Sequence, residues 1–130
     1  MLDEFVPDEV RLFRRVPSQF LVTDKKTGGR RLSSNAFRNN SNPKTNRMSI
    51  VLEDSLQDSP ESIVEGTAFL LVALRAGFVR EPRHAQQIER TPTTIEPAHG
   101  DVVGNKTNSI RNSFAAAAEW VVPPEGPSQV

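Results

Sequence analysis

The densest apolar run in the chain is residues 67–79, TAFLLVALRAGFV. Taken as a strand, it puts Phe69, Leu71 and Ala73 on one face and Ala68, Leu70, Val72 and Leu74 on the other. Both faces are apolar, which is the pattern of a central strand covered above and below. A buried helix shares that pattern over so short a run; Gly77 and the β-branched residues favour the strand. Residues 10–16, VRLFRRV, alternate, with Val10, Leu12, Arg14 and Val16 pointing one way and Arg11, Phe13 and Arg15 the other. They predict a second strand, stopped by Pro17. Residues 20–23 (FLVT) and 30–32 flank DKKTGG, whose two glycines accept positive φ, so a hairpin is predicted there. Ser33 or Ser34 caps a short helical turn running into Phe37. Residues 38–47, RNNSNPKTNR, read as a polar, exposed and mobile loop.

Further along, residues 48–52 (MSIVL) predict a strand. Residues 53–65 predict a short acidic helix that starts at Ser59-Pro60-Glu61, turns Ile63 and Val64 inward and ends at Gly66. Pro82, Pro92 and Pro97 interrupt residues 80–98, leaving a helical turn or two over 84–90 and an edge strand at 93–95. Residues 99–103 (HGDVV) predict a strand, turned by Gly104 and Asn105. Thr107 or Asn108 caps a last helix over 109–122, whose Ile110, Phe114, Ala117, Ala118 and Val121 form an apolar stripe at helical spacing. Pro123-Pro124 ends it. The pattern predicts an α+β protein. A single small domain spans residues 10–122, with a mixed or mostly antiparallel sheet and the C-terminal helix packed on it. An acidic N-terminal tail (1–9) and a C-terminal tail (123–130) flank the domain.

Composition narrows this picture. Hydrophobic residues make up 36% of the 130 and aromatic residues 6%, below the usual apolar share of about 45–50%, so the core must be economical. There is no cysteine, which excludes disulfides, cysteine-ligated zinc and cysteine nucleophiles and fits a reducing compartment. The N-terminus has neither the basic nor the apolar region of a secretory signal, and the longest apolar run is too short for a membrane span. A soluble, cytoplasmic protein is expected, without membrane association.

Net charge is zero, but the charge lies in blocks. Residues 11–47 hold ten bases against Asp24 alone, whereas residues 48–66 hold only acids besides their neutral residues. Clustered arginines suit phosphates through charge and bidentate geometry. The basic half therefore points to a non-enzymatic accessory or binding protein meeting an anionic partner, either nucleic acid or an acidic protein surface. Arg14, Arg15, Arg30, Arg31 and Arg38 are the expected contacts. Trp120 is a candidate interface anchor, and an assembly subunit is a further reading for a chain with so little apolar content.

The alternative is a small enzyme, of transferase or nuclease type. His99 is the candidate acid or base, working with Arg14 and Ser33 in one pocket. No H-x-x-x-H or H-E-x-x-H spacing, phosphate loop or dinucleotide fingerprint occurs, so no metal or cofactor is expected. The strand carrying Arg14, followed by GGRRLSSN at 28–35, resembles the opening of ADP-ribosyltransferase-type folds. That resemblance implies that Arg14, Ser33 and a late acid such as Glu119 would hold NAD. The segments RLSSNAF (31–37), PAHGDVVG (97–104) and AEWVVPP (118–124) are similar to stretches in small bacterial proteins of uncharacterised activity, and they imply a bacterial or phage-like origin but no site.

Overall fold

The computed structural model describes residues 5–23, 26–39 and 46–123. Its strands are β1 (Arg11–Val16), β2 (Leu21–Thr23), β3 (Arg30–Leu32), β4 (Arg47–Leu52), β5 (Leu70–Arg75), β6 (Gln87–Arg90), β7 (His99–Val103) and β8 (Glu119–Val122). Six of them form one sheet in the order β6-β7-β4-β1-β5-β8, and β2 pairs with β3 in a separate hairpin. Every pairing in the larger sheet is antiparallel. Two helices, α1 (Ala76–Val79) and α2 (Asn108–Ala117), and several 3-10 turns complete the α+β architecture. Among the described residues no helix is long and apolar enough to cross a membrane.

The alternation in β1 sets the two faces of the sheet. Leu12, Arg14 and Val16 stand opposite Leu74, Val72 and Leu70, and Phe13 stands opposite Ala73 and Val51. The first face carries the larger core, in which the sheet residues meet Val6, Ala36, Phe37, Val79 and Phe114. The second carries a smaller cluster of Phe13, Val51, Leu71 and Ala73 under Val64 and Ala98. Strand β5 is buried at its first five positions and lies between two neighbours, so its two-sided apolar pattern has the expected cause. The strand stops at Arg75, however, and Ala76–Val79 turns into α1. Gly77 lies there because the N-terminal segment passes over it. A Cβ would come within 2.9 Å of Asp8 Cβ, and the Gly77 amide donates to the Asp8 carbonyl at 2.9 Å. The described part of the acidic N-terminal segment is thus laid on the domain, with Val6 only 1% exposed.

Three elements differ from expectation. The acidic helix over 53–65 is two separate 3-10 turns, Glu53–Ser55 and Pro60–Ile63, because the stretch buries only Val64 and offers no continuous apolar stripe. The helical turn expected at 84–90 ends at His84; Ala85 takes a left-handed conformation (φ 53°) and sends the chain into β6, so the edge strand is Gln87–Arg90 rather than 93–95. The last helix ends at Ala117, and Glu119–Val122 becomes β8, paired to β5 across a bulge. Its Trp-Val-Val run has high strand propensity, and β5 would otherwise be left with an open edge.

Helix α2 starts on Thr107, whose hydroxyl accepts from the Ile110 amide at 3.3 Å. Its Phe114, fully buried, meets Phe37 edge-on at 6.1 Å and lies 5.0 Å from the His84 ring. His84 is itself buried. It shares hydrogen bonds with the Phe78 carbonyl and the Ser113 hydroxyl, both at 2.9 Å, and so ties α1 to α2. Removing the Phe114 ring would leave a cavity among these groups. Phe114→Ala is expected to lower unfolding free energy by about 3–5 kcal/mol, read from the shift of the urea midpoint at unchanged m-value. A loss below about 1 kcal/mol would mean that α2 contributes little to the core.

Candidate functional site

The hairpin pairs Leu21 with Leu32, Val22 with Arg31 and Thr23 with Arg30. Leu32 belongs to the main core, and Phe20 and Leu21 pack against it. The Ser33 amide donates to the Phe20 carbonyl at 2.7 Å. This anchors the base of the hairpin, while Arg30 and Arg31 remain exposed. Ser33 then caps the turn Ser34–Phe37 by accepting from the Asn35 amide at 3.1 Å. The turn buries Ala36 and Phe37 and releases the chain at exposed Arg38. Lys26 is exposed near the hairpin tip. Lys25 and most of the loop expected over 38–47 (residues 40–45) lie outside the described residues.

The described arginines are satisfied in different ways. Arg11 pairs with Glu53 at 2.8 Å, Arg15 with Glu96 at 3.0 Å, Arg83 with Glu81 at 2.9 Å and Arg90 with Asp54 at 2.6 Å. Arg47 lies 2.9 Å from Glu89 and 3.1 Å from Asp101, Arg75 reaches Glu119 at 4.0 Å, and Arg80 pairs with Asp8. The Arg90 guanidinium holds the Asp54 carboxyl below the usual carboxylate range through its hydrogen bonds. Arg14 takes carbonyls instead, donating to Ser49 at 2.8 Å, Ala36 at 3.1 Å and Arg38 at 3.4 Å. Burial, with a smaller push from Arg15, brings its pKa down to about 10. Of the five arginines expected to make contacts, Arg14 and Arg15 are therefore engaged inside the fold. Arg30, Arg31 and Arg38 are exposed and form no ion pair among the described residues.

His99, Arg14 and Ser33 do not converge. Arg14 stands opposite Val72 on the first face of the sheet. His99 stands opposite Val51, which belongs to the second face. The His99 Nδ1 lies 3.1 Å from the Thr91 carbonyl, which can only accept, so Nδ1 carries the hydrogen. The Thr91 hydroxyl, 2.8 Å from the same nitrogen, donates onward to Asp101 at 3.2 Å, and Asp101 pairs with Arg47. This chain holds β6, β7 and β4 together along one face. Ser33 serves as a cap, and Glu119 faces Arg75 at the sheet edge. Trp120 lies on β8 rather than on a helix and is 41% exposed. Among the described residues no three His, Cys, Asp or Glu side chains come together as metal ligands.

Lys106 was not among the residues the sequence singled out, because a lysine in a Gly-Asn-Lys-Thr turn reads as an ordinary loop residue. It is 8% exposed. Its Nζ donates to the carbonyls of Val102 at 2.9 Å and Gly104 at 3.0 Å and to Asn39 Oδ1 at 2.5 Å. It thereby ties the β7–α2 turn to the segment after Arg38. Burial, reinforced by Arg14, pushes its pKa down to about 8 from 10.5.

The sign of the resulting pH dependence follows from linkage. Below about pH 8 the lysine is charged in both folded and unfolded chains. Between about 8 and 10.5 only the unfolded chain keeps the proton, so rising pH favours the fold across that window. Wild type is expected to gain urea resistance relative to Lys106→Met as pH rises from about 8 to 10; parallel profiles would show that Lys106 keeps an ordinary pKa. No protein-family model, curated protein or solved structure matches the chain, so its functional reading rests on this geometry.

Proposed function

We propose that the protein is a non-enzymatic binding module whose basic hairpin, continued by Arg38, holds an anionic partner, and that the partner is nucleic acid. The observation carrying this reading is the division among the arginines. Seven reach a carboxylate within 4.0 Å, whereas the exposed Arg30, Arg31 and Arg38 reach none among the described residues. An exposed cation that no carboxylate neutralises is the group that attracts phosphates and releases their counterions. A two-stranded ribbon is also a shape that a nucleic-acid groove admits.

Phe13 and Phe37 are buried and Phe20 packs against the core, which removes the hairpin-side aromatics as stacking platforms for bases. Contact through phosphates, with little sequence preference, follows from that. An enzyme built on His99, Arg14 and Ser33 is disfavoured by their separation across the sheet. An acidic protein surface is the partner that the same arginines would serve if nucleic acid fails.

The test is fluorescence anisotropy with labelled duplex and single-stranded DNA and RNA at about 50 and 200 mM salt. Wild type is expected to bind at the lower salt and weaken steeply at the higher. Arg31→Glu and Arg38→Glu should each weaken binding uniformly across sequences and flatten the log–log salt slope by about 1. Absence of wild-type binding at the lower salt would reject nucleic acid as the partner.

A further inference from the structure

A cavity of about 880 Å³ lies where the hairpin meets the end of the main sheet at which β5 begins and β8 finishes. Its walls carry both signs of charge. Arg30 comes from the hairpin, and Glu61 and Glu65 come from the segment around the turn Pro60–Ile63. The lining also includes apolar surface, among it Leu21 of β2 and Phe69, which is 39% exposed. Seven other arginines have closed on a nearby carboxylate. Arg30 shares a cavity with two and pairs with neither. The cavity lining therefore holds a cation, two anions with which it forms no ion pair, and apolar surface.

We infer that this cavity is a binding site for an extended peptide segment of mixed charge. Its basic side chain would be received by Glu61 and Glu65, its acidic group by Arg30, and an apolar side chain between them by Leu21 and Phe69. Three observations select this class of ligand. The two glutamates repel a phosphate polymer, so Arg30 is the one residue the two readings share, and the nucleic-acid surface is carried by Arg31 and Arg38, which lie outside the cavity. The volume lies in the upper part of the range of about 300–1,000 Å³ typical of ligand pockets, which is more than one amino acid fills. The wall includes Val122, the last residue of β8, and β8 is an edge strand of the sheet. An edge strand presents a row of main-chain donors and acceptors to which an extended peptide can add, while its side chains enter adjoining pockets. The inference does not rest on the nucleic-acid reading: Arg31 and Arg38 are not among the residues lining the cavity.

The experiment is a titration of the ¹⁵N-labelled full chain with the end-capped pentapeptide Lys-Val-Leu-Val-Glu, compared with the charge-free Ser-Val-Leu-Val-Ser. The charged peptide is expected to give saturable amide shifts at Arg30, Glu61, Glu65, Phe69 and Val122. The charge-free peptide should bind at least about tenfold more weakly, the worth of one charge-assisted hydrogen bond. The double variant Glu61→Gln/Glu65→Gln should lose a similar factor for the charged peptide, while its DNA binding should not weaken. Lack of saturation at millimolar peptide, equal binding of the two peptides, or shifts confined to Arg31 and Arg38 would each overturn the inference.

Discussion

Two neighbouring arginines in the middle of the sheet point in opposite directions, and much of the rest depends on how each is satisfied. Strand β1 lies between β4 and β5, and both arginines are only partly exposed, so each finds hydrogen-bonding partners within the protein. Arg14 finds them in the carbonyls of the Ser34–Phe37 turn, of the residue after it and of β4. Arg15 finds them in Glu96 and in the Ile63 carbonyl at 3.3 Å. Each guanidinium thus fastens a covering segment to its own side of the sheet. A neutral side chain at either position would take a charged donor away from those carbonyls. The segments so fastened form the surroundings of both candidate sites: the turn leads to Arg38, and the stretch around Ile63 supplies the glutamates of the cavity.

The basic first half of the chain consequently means two different things. Over β1 it is internal, and the acidic block that follows it in sequence supplies part of its neutralisation, as in the contact of Arg11 with Glu53. Over the hairpin Arg30 and Arg31 are external and form no ion pair among the described residues. Zero net charge conceals this division, since the balance holds for the whole chain while the field is local.

How much could be read from the sequence follows the physics of each element. Strands β1, β4 and β7 and the hairpin were legible because alternation or turn glycines specify them locally. Strand β5 was legible because burial on both sides leaves a run with no polar face. Strand β8 was not, because alanine-rich residues upstream carry the helical stripe on into it. Only the open edge of β5, a tertiary feature, separates helix from strand there. The turn into β6 was hidden for a related reason: Ala85, not glycine, takes the positive φ. For the site, the presence of surplus arginines was visible but their sorting was not, since pairing across as many as 81 residues, as from Arg15 to Glu96, leaves no trace in local spacing. Lys106 and the cavity were equally silent.

The strand order has a consequence for how the chain reaches this state. Strand β1 precedes the other described strands in the chain but lies inside the sheet, and its partners begin only at Arg47 and Leu70. During synthesis it must wait, its apolar positions uncovered, until much of the chain has emerged. The hairpin, whose two strands are joined by a short turn, can close long before. The ribbon's pairing is thus local in the chain, whereas the core on which Leu32 seats it depends on strands that follow.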